Sequence, residues 1–247
     1  MRSLALAAIV AMTVGPAAAL DLKNMTDAER EAFRAEVRAY LLENPEVLSE
    51  AIAVLQDRQA EQAARQDSTL IQANAKDLFS DPDDFVGGNP QGDITVVEFI
   101  DYRCGYCRKA HAEVKELINS DGNIRYIVKE FPILGDQSVI ASRFAIAALR
   151  ELGPEAYEKI KNGFYESFRG EVTVETLESF ARDLGIDPAP VIAAMDSPDV
   201  TRIIKENHML AQRLQVSGTP TFVMGDQMLR GYAPLETMRQ IVAEERG

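Results

Sequence analysis

The feature that most constrains this chain is a junction between strand-type and helix-type sequence. Ile94-Thr95-Val96-Val97-Glu98-Phe99-Ile100 is a β-branched and aromatic run of the kind that forms a core strand. Cys104-Gly105-Tyr106-Cys107 follows, and helical sequence continues to about Ile118. Cysteines three residues apart at a helix start place both sulfurs on one side of the first turn. Free backbone N–H groups and the helix dipole favour negative charge there, and the thiolate is the form of cysteine that attacks disulfides. Cys104, nearer the helix start, is predicted to be the exposed nucleophile. Cys107, one turn in and more buried, is predicted to resolve a mixed disulfide.

These are the only two cysteines, and the start of the chain bears on their meaning. Arg2, an uncharged apolar run over Ser3 to Val14, and Ala17-Ala18-Ala19 read as a secretory signal, residues 1–19, with the mature chain from Leu20. The run is short of the roughly 20 apolar residues that span a bilayer. Export places the cysteines in an oxidising compartment, where disulfides persist. A disulfide across so short an interval is a weak structural staple, because it restrains the unfolded chain little. Zinc lacks a second cysteine pair; His111 gives only a conceivable, incomplete third ligand. Redox chemistry is therefore the leading reading, with no cofactor beyond a redox-active Cys104–Cys107 disulfide. A net charge of −13 argues against nucleic acid as a partner.

Before the junction lies glycine-free helical sequence. Thr26 and Glu29 form a capping-box signature, and Phe33, Val37, Tyr40 and Leu41 share a helix face. Asn44-Pro45 interrupts it, and a second helical run extends from Glu46 towards Leu78. Leu41, Leu48 and Leu55, with Ile52, make a heptad fragment, so residues 20–79 read as a helical segment that self-associates through about 26–65. Turn residues over 80–84 and 87–92 mark a linker to a second domain, 80–247. There a second strand, 124–129, a helical block over about 137–214, strands at 221–224 and 227–229, and a last helix from about Pro234 give an α/β fold with a mixed sheet and a helical insertion.

Two further features surround the pair. Glu98 interrupts an apolar strand, so its carboxylate is expected to be buried, with a raised pKa, and able to relay protons to Cys107. Lys129, on the next strand, is a candidate charge partner for it. Gly218-Thr219-Pro220-Thr221 places a proline just before a strand, with a strand edge that could pair with an extended substrate backbone. Gly105 and Tyr106 tune the redox poise. With no histidine between the cysteines, the thiolate loses one source of support, which tilts the chemistry towards exchange or isomerisation.

The run Val97 to Cys107, the segment Val128-Lys129-Glu130-Phe131-Pro132-Ile133-Leu134-Gly135, and Gly218 to Phe222 together resemble the DsbA-like family of bacterial periplasmic thiol oxidoreductases. The resemblance implies a thioredoxin-like fold with an inserted helical domain. It also implies a cis Pro220 facing the cysteines, Thr219 on the substrate backbone, Gly105 and Tyr106 at the substrate side, and Glu98 behind Cys107. Gly105-Tyr106 and Thr219 are more similar to the isomerase DsbC, and the N-terminal helices to the suppressor-of-copper-sensitivity C (ScsC) branch, whose members can oligomerise there. The implied partners are unfolded or mis-disulfided exported proteins, a membrane redox partner, and further copies of the chain. Two alternatives stand beside this reading: Cu(I) binding by the two thiolates, and a chaperone in which the pair is incidental.

Overall fold

The structure is a computed structural model that describes residues 22–247; the signal assigned to residues 1–19 lies outside the described residues. Among the described residues no helix is long and apolar enough to cross a membrane. The chain divides into two compact units, Met1–Gln59 and Ala60–Gly247.

The described part of the first unit is helical. Helix α1 (Asp27–Glu43) starts at the expected capping box: Glu29 N–H donates to Thr26 Oγ1 at 3.3 Å, and Thr26 N–H to Glu29 Oε2 at 2.8 Å. It ends at Asn44, whose side chain and backbone N–H both donate to Tyr40 O. Helix α2 (Glu46–Ala73) begins past Pro45. No residue of α1 is buried, and Phe33, Val37, Tyr40, Leu48, Ile52 and Leu55 all face solvent.

The second unit takes in the C-terminal part of α2, so this division falls inside that helix, ahead of residue 80. The reason is packing. Ile71 of α2 and Leu78 of α3 (Ala75–Phe79) are buried against the sheet, and Asp67 takes a bidentate ion pair from Arg230 at 2.8 Å. Burying a Leu or Ile side chain contributes about 1.5–3 kcal/mol. The helical run expected to reach Leu78 breaks at Asn74, which caps α2 by donating to Leu70 O.

The sheet has five strands in the order β1-β3-β2-β4-β5. They are β1 (Phe85–Gly88), β2 (Ile94–Ile100), β3 (Ile124–Glu130), β4 (Thr221–Met224) and β5 (Gln227–Arg230). Strands β2 and β3 are parallel, joined by α4 (Gly105–Asp121); every other pairing is antiparallel. Strand β1 falls within the stretch expected to be linker. Its glycines hid it: Gly88 has φ +65°, and a Cβ there would lie 2.4 Å from Ile124 O, so only glycine lets β1 lie on β3.

Alternation along β2 and β3 divides the core. Val96, Ile100, Tyr126 and Val128 pack with α4 and with α10 (Leu235–Arg246). Val97, Phe99 and Ile127 pack with Ile71, Leu78 and Leu210. The helical block comprises α5 (Asp136–Leu152), α6 (Pro154–Glu166), α7 (Val174–Asp183), α8 (Pro188–Ala194) and α9 (Pro198–Arg213), inserted between β3 and β4.

This parity corrects the Lys129–Glu98 pairing. Lys129 sits opposite Phe99 in the parallel register, so its side chain shares the face of Phe99, not that of Glu98. There Lys129 Nζ, fully buried, donates to Asp77 O at 2.6 Å and lies 2.7 Å from Asp84 Oδ2 in an ionic contact without hydrogen-bond geometry. Burial, opposed by Lys129, raises the Asp84 carboxyl to about 7.

Candidate functional site

Cys104 is the N-cap of α4, and its Sγ accepts the Cys107 backbone N–H at 3.4 Å. The approach to it is fixed by Asp101, which is wholly buried. Asp101 Oδ1 accepts from Arg103 N–H (2.7 Å) and Ser138 Oγ (2.8 Å); Oδ2 accepts from Ile133 N–H (2.8 Å) and Leu134 N–H (3.0 Å). One carboxylate thus ties the end of β2 to the loop after β3 and to α5. Nothing in the local pattern announced this role, because three of its four donors lie more than thirty residues away.

Both cysteines are free of a disulfide, and both are shielded: Cys104 is 8% exposed and Cys107 1%. Cys104 is therefore the more accessible sulfur but not an openly exposed one. Its Sγ lies 3.1 Å from Thr219 O, to which the protonated thiol donates. The Thr219–Pro220 bond is cis, and Pro220 is buried. Gly105 is exposed, and Tyr106 is 64% exposed beside the pair.

The Cys104 thiol is lowered from 9.0 to about 5. The hydrogen bond from the Cys107 thiol is the largest cause. Partial burial opposes it, and the Thr219 side chain and the backbone N–H groups of Cys107 and Tyr106 add to it. A histidine between the cysteines is thus not needed to stabilise the thiolate. Cys107 is pushed far up, first by burial, then by its bond to Cys104 and by the charge of Glu98. The two thiols are driven apart, one towards nucleophile and one towards proton-holding acid.

Glu98 is buried on the α4 side of the sheet and accepts a hydrogen bond from Tyr126 Oη. Burial raises it to about 7, with Tyr126 and Lys161 opposing and Cys104 adding to the shift. Among the described residues no hydrogen bond joins Glu98 to Cys107; they act on each other through charge. Lys161, from α6, supplies the cation that Lys129 does not. It is 6% exposed, its Nζ lies 5.4 Å over the Tyr126 ring, and it lines a cavity of about 70 Å3 with His111, Lys115 and Glu158. Deeper in the same face, Glu130 accepts from Tyr102 and Tyr157 (both 2.6 Å) and Ser142 (2.7 Å); burial raises it, too, to about 7.

His111, the conceivable third metal ligand, turns to Glu166 instead, with Nε2 at 3.1 Å from Oε1. Among the described residues no three histidine, cysteine or carboxylate groups gather as a metal site. Strand β4 does not provide an open edge, because β2 and β5 flank it. The open main-chain group is one step earlier: Thr219 N–H donates to no backbone group among the described residues, while Pro220 O is taken by Gly231.

A mixed sheet with a βαβ core, a cysteine pair capping the helix after its first parallel strand, and a cis proline against that pair define a thioredoxin fold carrying a helical insertion. A thioredoxin family model matches residues 80–244, and a model described as the copper resistance protein ScsC N-terminal domain matches residues 29–62. The chain belongs to the thioredoxin family, in the DsbA-like branch that includes the ScsC proteins. It is similar to a thioredoxin-like oxidoreductase from Silicibacter pomeroyi (38% identical, covering 69% of this chain and 96% of that one, TM-score 0.64). It is similar as well to the thiol-disulfide exchange protein alpha-DsbA2 of Wolbachia pipientis (29%, 74% and 97%, TM-score 0.69). Proteus mirabilis ScsC in a transitional conformation is 25% identical, covering 90% of this chain and 98% of that one, TM-score 0.64. Among curated relatives, a Na(+)/H(+) antiporter NhaA from Herminiimonas arsenicoxydans is 28% identical over 170 residues, of which the chain spans about a quarter (26%) of the length.

Proposed function

We propose that the protein is an exported thiol–disulfide oxidoreductase that forms or rearranges disulfides in exported polypeptides through Cys104 and Cys107. The opposed shifts of the two thiols carry this reading: Cys104 is a thiolate at neutral pH, while Cys107 keeps its proton. The similarity to the thiol-disulfide exchange protein of Wolbachia pipientis supports the chemistry, and the secretory signal read at residues 1–19 supports export.

In rearrangement, the Cys104 thiolate attacks one sulfur of a client disulfide and displaces the other as a thiolate. That thiolate attacks elsewhere in the client, and a client thiolate finally releases Cys104, with no net transfer of electrons. In oxidation, a client thiolate attacks Cys104 of the Cys104–Cys107 disulfide. Cys107 leaves as a thiolate and takes up a proton, for which the buried Glu98 carboxyl is the donor. A second client thiolate then breaks the mixed disulfide, leaving two electrons on the pair, which a membrane redox partner removes. Thr219 N–H receives the client backbone, with Pro220, Gly105 and Tyr106 lining the approach.

Recovery of activity by ribonuclease tests both directions. The full chain in its disulfide form accelerates recovery from reduced ribonuclease, or the dithiol form accelerates recovery from scrambled ribonuclease, and Cys104→Ser gives the rate seen without protein. No acceleration from either substrate overturns the reading, as does rescue that survives Cys104→Ser.

The exposed apolar residues of α1 and of α2 up to Gln59 are covered, in this reading, by further copies of the chain. Light scattering of the full chain gives a multiple of the monomer mass, and Leu48→Glu with Ile52→Glu returns it to the monomer. Equal masses for both proteins contradict self-association through this segment.

A further inference from the structure

Most arginines of the second unit hold a carboxylate: Arg150, Arg202, Arg213, Arg230 and Arg246 each do so at 2.5–2.8 Å. Three arginines around the cysteine pair do not. Arg103, the residue before Cys104, donates to Gly170 O at 2.9 Å. Arg108, the residue after Cys107, donates to Tyr165 O. Arg169 donates to Phe168 O (2.7 Å) and Glu166 O (3.1 Å). None of the three forms an ion pair among the described residues. The nearby Glu166 carboxylate is taken by His111 and Lys115.

All three guanidiniums reach carbonyls of one short stretch, residues 165–170, which gathers them at one place. Arg108 is lowered first by burial and then by Arg169 and Arg103. Like charges gathered without a counter-charge cost free energy, and a chain of net charge −13 has carboxylates to spare. Carbonyl bonds fix each guanidinium but use only one or two of its five N–H groups, leaving the rest to be shared with an anion. Arginine forks match carboxylates in two-point contacts. The cluster spans two elements, the start of α4 and the turn after α6. That spread, together with the Thr219 backbone beside Cys104, suits an extended chain bearing several carboxylates better than one small anion.

We propose that Arg103, Arg108 and Arg169 form a recognition surface for Asp or Glu side chains flanking the reacting cysteine of a client polypeptide. This rests on Cys104 being the nucleophile. The surface selects among clients and raises the rate of encounter.

The test uses the pre-reduced full chain and three disulfide-bonded peptides identical except for Glu, Gln or Lys beside the cysteines. One turnover reduces the peptide disulfide to two thiols and oxidises Cys104 and Cys107 to a disulfide, so no further reductant enters. The expected second-order rate constants fall in the order Glu, Gln, Lys, with about tenfold between Glu and Gln at low ionic strength, and converge as salt is added. In Arg103→Gln/Arg169→Gln the Glu-to-Gln ratio falls to about one, and Arg169→Glu shifts preference towards the Lys peptide. Equal rates for the three peptides overturn the proposal, as does a preference that the arginine variants leave unmoved. A preference for oxidised glutathione over an uncharged small disulfide, without charge dependence among the peptides, overturns it in favour of a small anionic thiol. If the uncharged small disulfide is not reduced at all, the reading of the Cys pair itself fails.

Discussion

Titration of the dithiol protein, followed by thiolate absorbance, gives a midpoint of about 5 for Cys104 and no second thiolate through neutral pH. An unassisted thiol ionises near 9.0, so at neutral pH the reactive fraction is close to complete instead of about one per cent. Removing the Cys107 thiol, the largest cause of the shift, by Cys107→Ala moves the Cys104 midpoint upward. The sign for stability follows from the depressed value. The folded dithiol form gains nothing from this group below about 5, gains progressively as pH rises from there, and holds the full contribution above 9.0. Because the thiolate belongs only to the reduced state, its stabilisation makes the disulfide the more oxidising partner. A Cys104 midpoint at the ordinary thiol value contradicts this account of the site.

Glu98→Gln slows the step in which Cys107 gains or loses its proton by about 100-fold, the lower end of what a positioned acid–base group supplies. The amide keeps an acceptor for Tyr126 Oη, so the fold is retained and the loss reports proton transfer. The pH profile of that step in the native protein bends near 7, where burial places Glu98, and the variant loses that bend. Stability moves the other way. A carboxyl raised from 4.5 to about 7 is held protonated by the folded state, so it costs the native protein stability as pH rises through that window. Glu98→Gln is therefore more stable than the native chain at about pH 8, by roughly 2–4 kcal/mol, with the gain vanishing near pH 4. Denaturant unfolding at both pH values measures this. A native bend near 7 that survives in the variant contradicts the relay.

What could be read from the sequence was local, and what could not was long-range. The cysteine pair at the strand-to-helix junction, the carboxylate interrupting β2 and the capping box at Thr26 each declare themselves within a few residues. Lys129 shows where that reasoning stops. It lies on the strand next to Glu98, yet a one-residue offset in a period of two puts it on the opposite face. The cation that acts on Glu98 is Lys161, delivered by α6 from the helical insertion. Asp101 and the hydroxyls on Glu130 form a buried polar frame that exists only once α5 and α6 dock. The arginines around the pair were likewise unremarkable in sequence, because only the fold brings Arg169 to Arg103 and Arg108 and directs the nearby acidic side chain elsewhere. Strand β1 was hidden by glycines that serve close backbone approach, not a turn.

The most direct test of the central claim is to remove the resolving thiol and look for the arrested intermediate. Cys107→Ser, incubated with a disulfide-bonded polypeptide, accumulates a mixed disulfide at Cys104 that reductant releases, and the native chain clears the same species. Absence of this adduct, or its equal formation in Cys104→Ser, contradicts the assignment of Cys104 as nucleophile and Cys107 as resolving thiol.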